Sequence, residues 1–309
     1  MTETAGYTLV QLRYFVAVAE AGSMTAAAER LVVAQSGISH AIANLERELR
    51  LQLFLRRKAK ALTLTPAGEH LLGRARALLA QADQLAEEAR GGGELTGPVT
   101  LGCFVTLAPF HLPPLLESAE RRHPGIELTV VEGEAAELDA ALRAGRIEFA
   151  LGYDLGFGPD TVLEPLASLP PYALVAADHP MAGRPQADLA ELAEEPLVLL
   201  DLPHSREYFL GLVRAAGGRP RVRHRAQSYE TVRSLVARGL GFALLNQLPA
   251  TADTYGGGRV RALPLGPGHR TLELVIARPA GLRPCARARA VIDLLRTAAG
   301  AGPAPLTDR

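Results

Sequence analysis

The sequence predicts an α/β protein in three parts: a small helical head, one long helix, and a two-lobed α/β domain. Three observations support this fold class. Residues 8–49 carry apolar side chains at helical spacing, residues 66–90 continue one long helical pattern, and from Gly97 strand-like and helix-like segments alternate. The 309 residues also exceed the ~250–300 at which one hydrophobic core stops growing, so several domains are expected.

The composition excludes several classes of protein. Hydrophobic residues make up 48% and charged residues 21%, which excludes a mostly disordered chain. No run reaches the ~18 apolar residues of a membrane helix, the first residues lack the layout of a signal peptide, and two cysteines cannot form a disulfide framework. These features predict a cytoplasmic protein that has no membrane partner.

The net charge is zero, with 33 basic and 33 acidic side chains, and by itself argues against a nucleic-acid partner. The charges are segregated, however, because residues 1–66 contain 8 Lys/Arg and only 5 Asp/Glu. The stretch between Glu48 and Glu69 contains no acid and carries Arg50, Arg56, Arg57, Lys58 and Lys60. A solvated surface explains a short basic run as readily as phosphate contacts do, so the local structure has to decide.

The pattern of the head favours a helix-turn-helix. Thr8 and Gln11 have the spacing of a capping box, and the helix that follows ends at Gly22. Ser23 can cap a second helix, and a third carries an apolar stripe through Ile38 and Leu45. The second helix of such a pair fits the ~12 Å wide major groove of DNA. The predicted DNA contacts on these helices are Thr25, Gln35, Ser36, Ser39 and His40.

A two-stranded wing is predicted after the third helix. Residues 54–64 carry the basic run and end in the alternation Leu62-Thr63-Leu64-Thr65, which is typical of a strand. We expect the wing to place its cations against the phosphate backbone, which supplies most of the non-specific affinity for DNA. The predicted phosphate contacts are Arg56, Arg57, Lys58 and Lys60.

The long helix begins at Pro66 and is followed by Gly91-Gly92-Gly93, a predicted hinge. A heptad seam runs along it through Leu71, Ala75, Leu78, Ala82, Leu85 and Ala89. Such a seam can pack on its own domain. A helix between a small domain and a hinge has little of its own chain to pack on, so we predict a dimerisation helix.

The remainder predicts two α/β lobes with a cleft between them. Strands alternate with helices from Val99 to Tyr153 and again from Tyr172 to Leu245, which indicates βαβ units and largely parallel sheets. A Gly/Pro-bearing crossing near Gly156 separates the two sets, and the stretch around Gly256 is predicted to be loop-rich. Ligands of such sheets bind at the carboxyl ends of strands and near helix N-termini.

Residues 8–70 closely resemble the DNA-binding region of LysR-type transcriptional regulators. The resemblance is carried by Leu12–Glu20, Gly22–Leu31, Gln35–Ser39, Leu53-Phe54 and Leu62–Gly68. Further on, His123–Leu128, Leu142–Ala150 and Val236–Gly241 resemble signatures of the same family. One departure is Ala34, which stands where the family usually has Ser or Thr and removes a hydroxyl that can cap the third helix.

The family implies an N-terminal winged helix-turn-helix, a long linker helix that forms the dimer, and a two-lobed periplasmic-binding-protein-like effector domain. It also implies a homodimer or tetramer that binds double-stranded promoter DNA and responds to a small-molecule effector in the cleft. We expect residues 1–66 to form the DNA-binding domain, 67–93 the linker and 94–300 the effector domain. Lobe 1 is expected at 97–160 and 270–298, and lobe 2 at 165–265.

An organic acid is the expected effector, because hydroxyls and helix N-termini suit an anion. The predicted effector-binding residues are Phe104, Val105, Thr106, Pro203, His204, Ser205 and Tyr229. Plain N-capping explains Ser205 equally well. Cys103 and Cys285 are expected to be buried small hydrophobes rather than redox sensors.

No metal-spaced His/Cys cluster and no P-loop, GxSxG or paired-carboxylate motif occurs, so we expect no metal, no cofactor and no enzyme activity. Three hypotheses stand beside each other. The protein is an effector-responsive DNA-binding regulator, a two-lobed solute-binding protein or enzyme with an appended helical domain, or a constitutive DNA-binding dimer with a vestigial cleft.

Overall fold

The computed structural model describes residues 6–56, 62–89 and 95–300. The head consists of α1 (Leu9–Ala21), α2 (Met24–Leu31), α3 (Gln35–Leu49), β1 (Phe54–Arg56) and β2 (Leu62–Leu64). The capping box at Thr8 and Gln11 is present, and the Ser23 hydroxyl accepts from the Ala26 amide at 3.4 Å, so both helix starts are as predicted. Ala34 gives α3 no side-chain cap.

The strands β1 and β2 pair antiparallel, with Phe54 opposite Leu64 and Arg56 opposite Leu62. The ring of Phe54 lies 5.5 Å from that of Phe15 on α1, which fixes the base of this hairpin to the head. The predicted wing is therefore present at its base, while the segment 57–61 that carries its other cations lies outside the described residues.

The linker helix is α4 (Pro66–Ala89). Its first turns pack on the head: Leu72 and Ala75 are fully buried there, and Leu71 and Leu79 pack at the edge of the same core. The core of the head therefore extends into α4, beyond residue 66, where the boundary of the DNA-binding domain is predicted. The reasoning that this helix has little of its own chain to pack on is wrong for this part of it.

The first lobe begins with β3 (Gly97–Phe104), α5 (Ala108–Arg122), β4 (Ile126–Gly133), α6 (Ala135–Arg143), β5 (Phe149–Tyr153) and β6 (Thr161–Leu169). The second contains β7 (Tyr172–Ala176), α7 (Leu189–Leu192), β8 (Leu197–Leu200), α8 (Ser205–Ala215), β9 (Val222–Ala226), α9 (Tyr229–Ala237), β10 (Ala243–Leu245) and β11 (Val260–Pro264). The chain returns to the first lobe with β12 (Leu272–Pro279) and α10 (Ala286–Gly300).

The first lobe has a five-stranded sheet in the order β4-β3-β5-β12-β6. Its first three strands are parallel, and β12 runs antiparallel to both β5 and β6. The strand β6, which was not predicted, extends this lobe to Leu169 instead of residue 160.

The second lobe is less parallel than predicted. The strands β8 and β9 are parallel, but β7 pairs antiparallel with both β10 and β11. The strand β11 lies in the stretch predicted to be loop-rich. The two lobes share one hydrophobic core, which is separate from that of the head. No helix among the described residues is long and apolar enough to span a bilayer.

The linker helix crosses the turn between α6 and β5 of its own first lobe. A Cβ atom added to Gly73 would lie 2.1 Å from the Arg143 carbonyl oxygen, a distance that only a glycine permits. The Arg76 guanidinium donates to the Ala144 carbonyl oxygen and pairs with Glu20 of α1 at 2.9 Å. We refer to this crossing of Gly73 and Arg76 over residues 143–145 as the docking contact.

Candidate DNA interface and effector site

The third helix presents its predicted contacts to solvent. Its stripe of Ile38, Ile42 and Leu45 is buried in the head, which turns the opposite face outward. Gln35, Ser36 and His40 are exposed on that face, Ser39 is half-buried, and Thr25 is exposed on α2. A helix held in this way leaves polar side chains free to reach base edges or phosphates in a groove.

Partly buried hydrogen bonds hold the base of the wing. The Leu53 amide donates to Glu46 Oε1 at 2.7 Å, and the Thr65 hydroxyl donates to the Gln52 carbonyl oxygen at 2.6 Å. The first bond ties the start of the hairpin to α3, and the second ties the two ends of the hairpin together. The backbone of Arg56 ends β1, whereas Arg57, Lys58 and Lys60 lie outside the described residues.

The heptad seam of α4 divides into two parts. Ala75 is 2% exposed and belongs to the core of the head, so it is not accessible to a second subunit in this structure. Leu78 and Leu85 are 40% and 68% exposed, and Ala82 is half-buried. The outer part of the seam is therefore available to a second subunit. The side chain of Ala89, the last predicted seam residue, lies outside the part of the chain that the structure describes.

The site between the lobes is lined largely by polar groups from both sides. The Thr106 and Tyr153 hydroxyls of the first lobe lie 3.2 Å apart. Across from them lie Ser205, which begins α8, and the pair Asn246-Gln247, which follows β10. The space between these groups is about 10 Å³, enough for about one water molecule, so the two lobes are closed on each other.

Tyrosine hydroxyls surround this site. The hydroxyls of Tyr229 and Tyr172 lie 2.9 Å apart, and both donate to the Gln247 carbonyl oxygen. Burial raises the pKa of Tyr153 to about 12, so its hydroxyl stays protonated and can donate at neutral pH. Asn246 donates its amide to the Leu169 carbonyl oxygen at 2.8 Å, while its buried Oδ1 has no hydrogen-bond partner among the described residues.

The structure brings together three of the predicted effector residues, namely Thr106, Ser205 and Tyr229. It does not bring the other four into the site. Phe104 is buried beneath it with its ring edge-on to Tyr153, and Val105 is half-buried. Pro203 and His204 are exposed ahead of α8, where His204 has a positive φ of 63°.

The sequence reasoning missed Asn246 and Gln247 as lining residues. The signal for them was available: two amide side chains directly follow the apolar strand Ala243–Leu245, at its carboxyl end. Tyr153, a candidate for the cleft from the sequence, ends a fully buried strand and lines the site.

Both thiols are buried and held protonated. Burial raises the pKa of Cys103 to about 12. The pKa of Cys285 is also raised by burial, and its thiol donates to Glu148 Oε2 at 3.2 Å. Since the thiolate is the reactive form of cysteine, neither side chain is placed as a reactive thiol.

Two family models match the chain. Residues 9–69 match the bacterial regulatory helix-turn-helix of the lysR family, and residues 92–300 match the LysR substrate binding domain. A curated relative from Mycobacterium leprae, named a probable hydrogen peroxide-inducible genes activator, is 35% identical over 255 residues, which cover 80% of each chain.

Solved structures of similar architecture cover the head and both lobes. A full-length OxyR variant from Pseudomonas aeruginosa superimposes with a TM-score of 0.75 at 30% identity, covering 96% of this chain and 95% of that chain. HinK, a LysR family transcriptional regulator from the same organism, gives a TM-score of 0.65 at 34% identity and covers 95% of this chain and 99% of that one.

Proposed function

Because the chain belongs to the LysR family of DNA-binding transcriptional regulators, as the resemblance predicted, we propose which residues carry its activity and what it senses. It binds promoter DNA as a dimer, through α3 and the wing of each head. A small organic acid bound between the lobes changes that binding. The observation that carries the proposal is the exposed polar face of α3 beside an anchored wing, on a core of its own.

Different groups of the head position it on the DNA and read the base sequence. Gln35 is exposed in the first turn of α3 and can pair with adenine through two hydrogen bonds, while Ser36, Ser39 and His40 extend the same face. Arg56, Arg57, Lys58 and Lys60 bind phosphates. Because Ala34 lacks a capping hydroxyl, the first amide groups of α3 stay available to a phosphate oxygen.

Dimerisation uses the outer part of α4. Leu78, Ala82 and Leu85 follow heptad spacing, and the two leucines are exposed in the single chain. With a surplus of only three positive charges in residues 1–66, one head has modest electrostatic affinity. Two heads on one operator raise the affinity through effective concentration.

The interlobe site suits a carboxylate once the lobes separate. Thr106 and Ser205 offer hydroxyls from opposite lobes, and a hydroxyl can donate a hydrogen bond to a carboxylate oxygen. Closure leaves about 10 Å³, so an organic acid requires an open state that it then stabilises. This difference in affinity between open and closed lobes couples the ligand to DNA binding.

Two measurements test the proposal. Gel shifts with DNA from the region upstream of the gene should give a sequence-specific complex at moderate salt. Its absence would contradict the DNA-binding assignment. Thermal-shift screening against aliphatic and aromatic carboxylates should find a ligand that raises the melting temperature, and Ser205→Ala together with Thr106→Val should remove that shift. A shift that survives both changes would place the ligand elsewhere.

A second candidate effector is hydrogen peroxide. Curated relatives are named hydrogen peroxide-inducible genes activators, and the closed interlobe site has space for about one water-sized molecule among hydroxyls. The two buried thiols argue against cysteine oxidation as the signal. Operator binding that changes with peroxide, and does so equally when Cys103 and Cys285 are replaced by alanine, would favour this candidate over an organic acid.

A further inference from the structure

The interlobe site is not the roomiest place in the protein for a ligand. The interlobe site encloses about 10 Å³, whereas a cavity of about 470 Å³ lies between α4 and the first lobe, beside the docking contact. We call it the linker cavity. It is bounded by α4 from Gly73 to Asp83, by the turn 145–148, and by the segment 278–287 that leads from β12 into α10.

The wall of the linker cavity is mostly apolar. Leu79 and Ala80 contribute from α4 and Val16 from α1, while Leu142, Ile147 and Pro284 contribute from the first lobe. A wall of this kind favours a ligand with an apolar body, through the burial of hydrocarbon surface. The size of the cavity also falls in the range of small-molecule sites, which is ~300–1,000 Å³.

The acidic groups at this cavity are already paired. Glu20 pairs with Arg76 at 2.9 Å and with Arg30 at 2.8 Å, and Asp83 pairs with Arg13 at 2.6 Å. Glu148 accepts the thiol hydrogen of Cys285 at 3.2 Å and lies near the Arg287 guanidinium.

Two of the cationic groups at this cavity have no acidic partner among the described residues. The guanidinium groups of Arg146 and Arg283 line the cavity, and neither forms a hydrogen bond or ion pair with any residue of the described ranges. Both side chains are exposed, so they can turn toward a bound molecule without breaking an existing contact. The combination is an apolar interior with two unengaged cations at its mouth.

We propose that the linker cavity is a second ligand site, which binds a small carboxylate with an apolar body. The carboxylate lies between Arg146 and Arg283, and the apolar body fills the interior beside Leu79 and Ile147. Guanidinium groups bind carboxylates through paired charge-assisted hydrogen bonds, which gives this anion preference over a neutral molecule of the same shape.

Binding here has a mechanical consequence that binding between the lobes does not. One wall belongs to α4, which carries the head, and the other belongs to the first lobe. A molecule that contacts both walls stabilises the docked position of the head over any position in which α4 lifts away. The second site thereby sets the head's orientation relative to the sensing lobes.

The test uses 3-phenylpropionate as the probe and 3-phenylpropionamide as its neutral counterpart, with calorimetry on the full-length protein. The acid should bind and the amide should bind at least tenfold more weakly. Arg146→Gln combined with Arg283→Gln should weaken binding of the acid at least tenfold. Arg122→Gln combined with Arg223→Gln, which removes two exposed charges elsewhere, should leave the affinity unchanged.

Two further variants separate this site from the interlobe site. Ala80→Leu adds volume inside the linker cavity and should reduce binding of the acid, whereas Thr106→Val should not. No detectable binding of the acid, equal binding of the amide, or loss of binding in Thr106→Val would overturn the proposal. The DNA-binding assignment is measured separately by gel shift and is unaffected by any of these results.

Discussion

Replacing Gly73 by alanine should release the head from the first lobe. The added Cβ would lie 2.1 Å from the Arg143 carbonyl oxygen and 3.3 Å from the Gly145 amide nitrogen, and side-chain carbons do not approach a carbonyl oxygen more closely than about 3 Å. The helix therefore has to move by about 1 Å, and the obstacle is backbone on both sides, which cannot swing aside.

That movement breaks the hydrogen bond from Arg76 to the Ala144 carbonyl oxygen. A hydrogen bond to a charged group contributes roughly 1.5–3 kcal/mol, and the Arg76 side chain is 19% exposed, so little of this is lost to solvent screening. At about 1.4 kcal/mol per factor of ten, the docked population should fall roughly ten- to hundredfold relative to the undocked one.

Pulsed electron paramagnetic resonance measures this directly. Nitroxides at two exposed positions, Val10→Cys in the head and Arg122→Cys in the first lobe, report the distance across the docking contact when the labelled chain is diluted with unlabelled protein. We expect one narrow distance for the parent and a broad, longer distribution for Gly73→Ala.

The control is Gly211→Ala in α8, where an added Cβ meets no atom of the described residues within 4 Å. Both changes remove a glycine from a helix interior, which by itself stabilises a helix by roughly 0.5–1 kcal/mol. Only Gly73→Ala should change the distance. An unchanged, narrow distribution in Gly73→Ala would refute the claim that this glycine is required for docking.

Three other predictions concern the wing, alkaline pH and one strained residue. Lys58→Ala with Lys60→Ala should weaken operator binding by a similar factor on every DNA sequence and reduce the slope of log affinity against log salt by about 0.9 per lost phosphate contact, as measured by fluorescence anisotropy. An unchanged slope would show that neither lysine contacts a phosphate. Burial raises the pKa of Cys103 from 9.0 to about 12 and that of Tyr153 from 10.0 to about 12. The folded state therefore retains protons that the unfolded state loses, so the unfolding free energy should fall from about pH 9 upward, by up to about 1.4 kcal/mol per pH unit per group, in urea titrations. Tyr153→Phe should make the unfolding free energy fall less steeply with pH. The same slope in the variant and the parent would contradict the raised pKa of Tyr153. Val32 holds φ 55° while its side chain is 90% exposed, so Val32→Asn should stabilise the head by roughly 1 kcal/mol in thermal unfolding, and a lower melting temperature would contradict the strain.

The sequence predicted the head well because its signals are local. Thr8, Gln11 and Ser23 lie three residues from the groups they cap, so spacing alone determines those contacts. The fold class and the family followed from the same stretch. The position of the wing could also be predicted, because apolar and polar side chains alternate over Leu62-Thr63-Leu64 shortly before Pro66.

What the sequence left open depends on contacts between distant segments. The strand β6 has half-buried and exposed positions with no clean alternation, and its place at the sheet edge is set by pairing with β12, more than a hundred residues later. Ala75 satisfies a heptad seam and a head core equally well, and only the packing of α4 on α1 decides between them. Phe104 and Thr106 are two residues apart, yet one lies under the interlobe site and the other lines it.

The charge distribution and the docking contact together explain why a weakly basic head can be regulated. Residues 1–66 carry a surplus of three charges, residues 67–90 a deficit of one and residues 91–309 a deficit of two, so the lobes do not compete for DNA. In the proposed dimer, affinity depends on presenting two heads at the spacing of one operator. We propose that α4 sets that spacing, because α4 carries both the outer heptad seam and the residues that dock on the first lobe. A shift of about 1 Å at Gly73 is enlarged along the ~36 Å of a 24-residue helix, and a small change at the docking contact thereby becomes a change in the separation of the heads.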